Sequence, residues 1–290
     1  MASSFLRLQA PTPLQYFATL VADDAGLNLL EAAASIAQDD FPELDVQAVL
    51  AEVDALVQRL RQRLPADASA NYKLRALTRY FHEELGFAGN VNNYYDCANS
   101  YVHQVLATRR GIPISLAVIF LELAAQLGLR AQGIAFPGHF LVKLRVGAGE
   151  VVLDPFSGRS LSRASLDEFL QVYRQSSGLP DDAELPIELF LQAAPPRQIL
   201  ARMLRNLKEI HRAAEDWPRL LAVQQRLVLL LPQDAAERRD RGLVLEALGH
   251  WPAAADDLAH YLQEQGAAAD AAALRQRLQQ LRARGGPPLH

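Results

Sequence analysis

The stretch "GIAFPGHFLVKLRVGAGEVVLDPF", residues 133–156, carries a histidine and an aspartate within two otherwise apolar runs. The runs favour β-strands, and the glycine-rich "VGAGE" between them is typical of a hairpin turn. A turn centred near residue 147 places His139 nearly opposite Asp154 on the adjacent strand. There the carboxylate could orient the imidazole, which would serve a nucleophile as general base. A purely structural pair, or an aspartate that caps the turn at Pro155, explains the pattern equally well.

Two residues are candidates for that nucleophile, Ser115 and Cys97. Ser115 lies at the start of an apolar helical segment, where its hydroxyl could face the histidine or, as the favoured alternative, cap the helix. Cys97 is the single cysteine and lies in a loop, where a cysteine is more often incidental than catalytic. One cysteine excludes an internal disulfide, and no histidine or carboxylate pair has metal-ligand spacing, so no metal or other cofactor is expected.

The segment from Ile114 to Leu127 is expected to form the central helix of the fold. Its polar residues are Ser115, Glu122 and Gln126, which fall on one narrow stripe of a helix while the rest of the circumference is apolar. Apolar residues at steps of three and four predict amphipathic helices before it, over "LDVQAVLAEVDALVQRLRQRL" and "NYKLRALTRYFHEELGF". Asp45 is placed to cap the first of these.

The last hundred residues are expected to be helical and to contain a repeat. Trp217-Pro218 and Trp251-Pro252 recur after 34 residues, which is the tetratricopeptide period. A proline-containing stretch, "SSGLPDDAELPIELFLQAAPPRQ", reads as the linker before it. Two units are too few for a free-standing array, so this tail should pack against the preceding domain.

Composition limits the class of protein. The chain has 290 residues, half of them hydrophobic, and a net charge of -4 without a block of basic residues. These values indicate a globular protein and argue against a nucleic-acid partner. The N-terminus lacks a secretory signal, and the most apolar segment is short and contains Glu122. We therefore expect a cytoplasmic protein that does not bind membranes.

The strings "NSYVHQVLATRRGIPISL", "PGHF" and "VVLDPFSG", with "RMLRNLK", "RDRGL" and the repeat tail, resemble the SirB/YchA-type family, named as regulators of sirC expression. The resemblance covers most of the chain. It implies an α+β, papain/transglutaminase-like core, with a central buried helix packed on a small antiparallel sheet. An N-terminal helical region and an all-α tetratricopeptide-like tail would flank that core. His139 and Asp154 match the histidine and aspartate of the family fold's catalytic triad. The triad cysteine would fall within residues 113–115, where this chain has no cysteine.

We therefore expect two domains. Residues 1–190 would hold the N-terminal helices and the transglutaminase-like core, which lies at about 70–175, and residues 191–290 would form the tetratricopeptide-like repeat domain. The leading hypothesis is a regulatory or interaction protein with a degenerate site, which binds a protein or peptide partner through its repeats. The alternative is a hydrolase or acyltransferase that acts on an amide or acyl bond. There Ser115 or Cys97 would attack, His139 would be the base and Asp154 would orient it. A third possibility is a site that only binds a small ligand or a peptide terminus.

Overall fold

The structure is a computed structural model that describes residues 11–178 and 186–285. Residues 1–10, where no secretory signal is expected, lie outside the described ranges. So do residues 179–185 of the expected linker and residues 286–290. Within the described ranges, every helix is too short or too polar to cross a lipid bilayer.

Four helices precede the region of the candidate site. They are α1 (Pro13–Leu20), α2 (Leu29–Ser35), α3 (Val46–Arg61) and α4 (Ala70–Arg79). A 3₁₀ turn, Ile36–Asp39, follows α2, and a π-helical turn, Tyr80–Glu84, continues α4. The Asp45 carboxylate accepts hydrogen bonds from the amides of Gln47 and Ala48, so the predicted cap of α3 is confirmed.

The central helix forms as predicted. The chain passes through β1 (Ala88–Gly89), a 3₁₀ turn (Cys97–Ser100), α5 (Val102–Thr108) and β2 (Arg110–Gly111) into α6 (Pro113–Gln126). Ten of the residues of α6, Pro113 to Phe120 with Leu123 and Ala124, are buried. Its polar stripe divides, because Ser115 is sealed inside while Gln126 donates to the side chains of Glu122 and Asp54.

A four-stranded antiparallel sheet packs against α6. Its strands lie in sequence order, β3 (Arg130–Ile134), β4 (Leu141–Val146), β5 (Gly149–Leu153) and β6 (Ser160–Leu161). The β4–β5 turn is the two residues Gly147 and Ala148, with Gly147 at a φ of 59° that favours glycine. This turn pairs Val142 with Leu153, so the hairpin is confirmed.

The remainder of the chain is helical. Its members are α7 (Arg163–Ser176), α8 (Ile187–Phe190), α9 (Pro196–Ala213), α10 (Trp217–Leu230), α11 (Ala235–Ala247), α12 (Trp251–Glu264) and α13 (Ala271–Gly285). Trp217 and Trp251 begin equivalent helices of two helix pairs, as the 34-residue spacing predicts. A Cβ at Gly242 would lie 3.1 Å from side-chain atoms of Asp257 and Leu258, so a small residue lets α11 approach α12.

The main hydrophobic core runs from Phe17 in α1 to Leu230 in α10, and a smaller core joins α11, α12 and α13. Arg226 of α10 is fully buried, with its guanidinium 2.8 Å from the Asp39 carboxylate and over the Phe17 ring. The first repeat helices thus share their core with the N-terminal helices. The tail packs against the preceding domain, as expected from its small number of repeats.

Candidate functional site

Asp154 follows β5 directly and is 7% exposed. One carboxylate oxygen accepts from the Phe156 amide at 2.9 Å, and the other accepts from the Ser157 hydroxyl at 2.6 Å. The amide of Gly89 donates to the Phe156 carbonyl, and a Cβ at Gly89 would lie 2.2 Å from the Phe156 ring. Glycine at that position therefore lets the turn pack against β1. Both oxygens of Asp154 are used within its own turn.

His139 lies two residues before β4 and stacks on Phe169 at 4.2 Å between ring centroids. The observed register places Leu141, rather than His139, opposite Asp154, because the β4–β5 pairs are centred between residues 147 and 148. In the described chain no hydrogen bond joins the two side chains, but their charges interact. Burial lowers the pKa of His139, the Asp154 carboxylate raises it, and the Arg202 guanidinium lowers it further.

Ser115 is completely buried at the start of α6. Its hydroxyl lies 2.6 Å from the Asn99 carbonyl and 3.0 Å from the Ile112 carbonyl, and it accepts from the Ile112 amide at 3.2 Å. The single O–H proton is shared between the two carbonyls, and the bond to Asn99 ties the loop before α5 to the central helix. The side chain is closed to solvent, and none of its hydrogen bonds goes to His139. This arrangement is that of a helix cap and offers no route for substrate.

Cys97 is a partly buried free thiol at the beginning of the 3₁₀ turn. Burial, with the charges of Asp96 and Asp40, raises the pKa of this thiol. A thiol that reacts as a nucleophile needs the opposite environment, because the thiolate is the attacking species. Its electrostatic neighbours, which include Arg219, do not include His139. Among the described residues, no hydrogen bond joins Cys97 to His139.

His82 is a second histidine of this region that the sequence pattern did not reveal. Its Nδ1 lies 2.9 Å from the Phe87 carbonyl, so Nδ1 carries the proton and donates. Nε2 is buried without a hydrogen-bond partner in the described chain. Burial lowers the pKa of His82, the bond to Phe87 opposes this shift, and the Asp154 charge also opposes it. Asp154 thus acts electrostatically on two histidines from opposite ends of the core sequence.

Arg202 of α9 also belongs to this region, although it lies 48 residues after Asp154. Its guanidinium donates to the Phe136 carbonyl at 3.2 Å and lies 5.7 Å from the centre of the Phe140 ring. The Arg202 charge also acts on Tyr94, whose ring lies 6.2 Å from that of Phe156. Local sequence does not distinguish Arg202 from the neighbouring Arg205, so only the fold identifies it.

The assembled region has histidines, a cation and aromatic rings but no nucleophile in contact with the histidines. Among residues 11–178 and 186–285, no group of three His, Cys, Asp or Glu side chains is arranged to hold a metal ion. A neutral imidazole beside a guanidinium can accept or donate hydrogen bonds and attract an anion. Such groups suit binding, whereas covalent catalysis also needs an attacking atom.

Comparison with known proteins places this arrangement in a family. Residues 47–205 match the model of the transglutaminase-like superfamily, and residues 207–279 match a tetratricopeptide repeat model. A UPF0162 protein of Xylella fastidiosa is 40% identical over 242 residues, which cover 83% of this chain and 85% of the relative. No solved structure shows a significant match.

More distant relatives carry the same description. A UPF0162 protein of Vibrio cholerae is 28% identical over 83% of this chain and 87% of its own length. The UPF0162 protein YchA of Escherichia coli K12 is 28% identical over 78% of this chain and 81% of its own length. The expected resemblance is confirmed, and the chain belongs to the UPF0162 family, with a transglutaminase-like domain followed by tetratricopeptide repeats.

Proposed function

We propose that this chain is a cytoplasmic regulatory protein that binds a protein or peptide partner and does not catalyse acyl transfer. The sealed hydroxyl of Ser115 carries this proposal. The family fold places its nucleophile at the start of the central helix, within the segment that is residues 113–115 here. The one hydroxyl of that segment, Ser115, is 0% exposed and hydrogen-bonded to two carbonyls. A group without access to substrate cannot attack it, however well a base is placed.

The repeat helices supply the surface for a partner. A groove of about 650 Å³, here called the repeat groove, is lined by residues of α9, α10, α11 and α13 together with Asp270. Its apolar lining consists of Trp217, Leu220, Leu243, Val244, Ala247 and Leu274. Grooves of this kind accept extended or helical peptide segments.

The charged residues that line the repeat groove restrict the kind of partner that can bind there. The repeat groove is lined by four cations, Lys208, Arg212, Arg239 and Arg277, and two carboxylates, Asp240 and Asp270. Glu237 and Asp240 neutralise Lys208. Arg239 pairs with Asp240 and Asp270, and Arg277 pairs with Glu246. The pair of Arg212 with Glu209 is exposed and therefore weak, so Arg212 is the cation most available to a partner. An apolar peptide segment flanked by acidic residues complements this lining.

A chemical probe tests the absence of catalysis. Fluorophosphonate and thiol-reactive probes are expected to label wild type and His139→Ala equally, or not at all, because neither Ser115 nor Cys97 is activated by the histidine. Labelling that His139→Ala abolishes would overturn the proposal in favour of a hydrolase or acyltransferase.

Binding is tested with the full chain as bait. A partner captured by wild type should be lost by Arg212→Glu/Arg277→Glu and retained by Arg75→Glu, a charge reversal at an exposed position of α4. The purified partner should then bind through an acidic, partly apolar segment, and its affinity should fall as salt rises. A partner that binds all three proteins equally would show that the repeat groove is not the site.

A further inference from the structure

Arg202 is an exception among the cationic side chains of α9. Its neighbours on that helix each have at least one carboxylate within 4 Å, in the pairs Arg197 with Asp24, Arg205 with Asp234 and Glu237, Lys208 with Glu237 and Asp240, and Arg212 with Glu209. Arg202 has no such partner in the described part of the chain. Its one hydrogen bond to protein is the donation to the Phe136 carbonyl.

The lack of a carboxylate partner is unfavourable for the charged form of Arg202 because its side chain is partly buried. Burial lowers the pKa of Arg202, which means that the protein environment disfavours its charge. The Phe140 ring beneath it compensates in part through a cation–π contact. A guanidinium carries five N–H donors in a planar fork, and one donated bond leaves most of them free.

The groups around Arg202 determine which kind of ligand it can bind. Burial lowers the pKa of His139, the Asp154 carboxylate opposes this shift, and the Arg202 charge adds to it, so the neutral imidazole is favoured and Arg202 supplies the positive charge for a ligand. Tyr94, 41% exposed, and the adjacent Tyr95, 80% exposed, connect the region to solvent through aromatic side chains. One guanidinium with aromatic neighbours matches a planar anion of one negative charge better than a doubly charged phosphate.

We propose that Arg202, His139 and Tyr94 form a site for the carboxylate of a peptide, either its C-terminal carboxylate or that of an aspartate or glutamate side chain. The inference rests on the proposed function in one respect, namely that the transglutaminase-like site binds a peptide without cleaving it. Arg202 pairs with the carboxylate through its free N–H groups, and Tyr94 packs against the neighbouring residue of the ligand.

Titration of the full chain with three small probes tests this site. The probes are N-acetyl-alanyl-phenylalanine as the free acid, the same dipeptide as its amide, and N-acetylglutamic acid with its α-carboxyl blocked as the amide. The first distinguishes a C-terminal carboxylate and the third a side-chain carboxylate. At least one acid should bind about tenfold more tightly than the dipeptide amide. Equal binding of all three, or none, overturns the proposal.

A second readout reports on the place of binding. The carboxylate neutralises the Arg202 charge, so a bound acid should raise the pKa of His139. NMR titration of the imidazole measures this pKa, and the His139→Gln variant assigns the signal. The amide should leave it unchanged. An acid that binds without moving this pKa lies elsewhere and overturns the proposal.

Variants complete the test. Arg202→Gln should weaken binding of the acid about tenfold or more, while Arg75→Gln, at an exposed position, should bind as wild type. If Arg202→Gln does not fold, Arg202→Lys takes its place, because it keeps the charge but not the planar fork. A folded Arg202 variant with unchanged affinity contradicts the proposal. Probe labelling that depends on His139 would instead contradict the proposed function, so the two failures are distinguishable.

Discussion

The repeat segment and the transglutaminase-like region differ in how their charged groups are paired, although Gln224 and Arg226 of the repeat segment each keep one buried polar atom without a hydrogen-bond partner in the described chain. In the repeat segment the Lys208 ammonium lies 2.7 Å from Glu237 and 2.6 Å from Asp240, and Arg241 forms two hydrogen bonds with Asp257. Within residues 11–178 and 186–285, His82 of the transglutaminase-like region has a buried nitrogen without a hydrogen-bond partner, and Arg202 has no carboxylate within 4 Å. Paired groups fix the geometry of packed helices, whereas unpaired groups cost stability and are retained where a ligand can satisfy them.

The largest effect should come from breaking the paired network at Glu237, which is 3% exposed. Glu237→Ala leaves Lys208 buried with one carboxylate fewer and should lower the free energy of unfolding by about 3–5 kcal/mol. Urea denaturation followed by circular dichroism measures this change. Glu209→Ala removes an exposed partner of Arg212 and should cost no more than about 0.5 kcal/mol. A similar loss of unfolding free energy in Glu237→Ala and Glu209→Ala would show that the buried network is no more stabilising than an exposed ion pair.

Ser115→Ala should have the next largest effect, although the residue lies in the transglutaminase-like domain. The change leaves the buried Ile112 amide and Asn99 carbonyl without their hydroxyl partner and should cost about 1–3 kcal/mol. Probe labelling should not change, because the hydroxyl is structural. The matched control is Ser176→Ala, whose hydroxyl bond to the Tyr173 carbonyl is exposed. A loss of labelling in folded Ser115→Ala would place this residue with the reactive groups instead.

Asp154→Asn tests whether the charge of Asp154 sets the pKa of His139 in the transglutaminase-like region. The amide can still accept from the Phe156 amide, so unfolding should become easier by only about 1 kcal/mol. The pKa of His139 should fall, because the Asp154 charge raises it in wild type. NMR titration of His139 measures the shift, with Asp167→Asn on exposed α7 surface as control. An unchanged pKa would mean that the charge of Asp154 does not reach His139.

The smallest effect is a dependence of stability on pH. His82 has a folded-state pKa below its ordinary value of 6.5, because burial disfavours the charged imidazolium. In the described chain its buried Nε2 has no hydrogen-bond partner that could accept the added proton. The unfolded chain therefore binds the proton more readily. The stability that the neutral His82 contributes is complete above pH 6.5 and is lost as the pH falls through the folded pKa. Urea midpoints at pH 8 and pH 5 measure it. His82→Gln should show a smaller difference than wild type, and an equal difference would assign the effect elsewhere.

Sequence periodicity was sufficient for most of the architecture. The apolar stripe of α3, the uniformly apolar face of α6 and the 34-residue spacing of the tryptophans each reflect a constraint that acts within one element. The position of His82 could not be derived in this way. The π-helical turn Tyr80–Glu84 adds a residue to one turn of α4 and so changes which side chains face the core.

The site itself depends on contacts between distant segments. Asp154 was expected nearly opposite His139, but the observed register places it opposite Leu141, two positions further along β4. Arg202 differs from Arg205 only in what the rest of the fold places beside it, which is a carbonyl and a phenyl ring rather than two carboxylates. The type of a residue can be read from the sequence, but the absence of a partner cannot.

The core shared by α1, α9 and α10 has a consequence for how relatives of this chain can recombine. A crossover between two homologous genes near residue 206, where the transglutaminase-like match gives way to the repeat match, would join α10 from one parent to the Phe17 and Asp39 of another. The buried guanidinium of Arg226 would then meet partners that had not been selected with it. A crossover within the turn at Pro232 leaves these residues together, so chimaeras joined there should inherit the repeat tail with the main core intact.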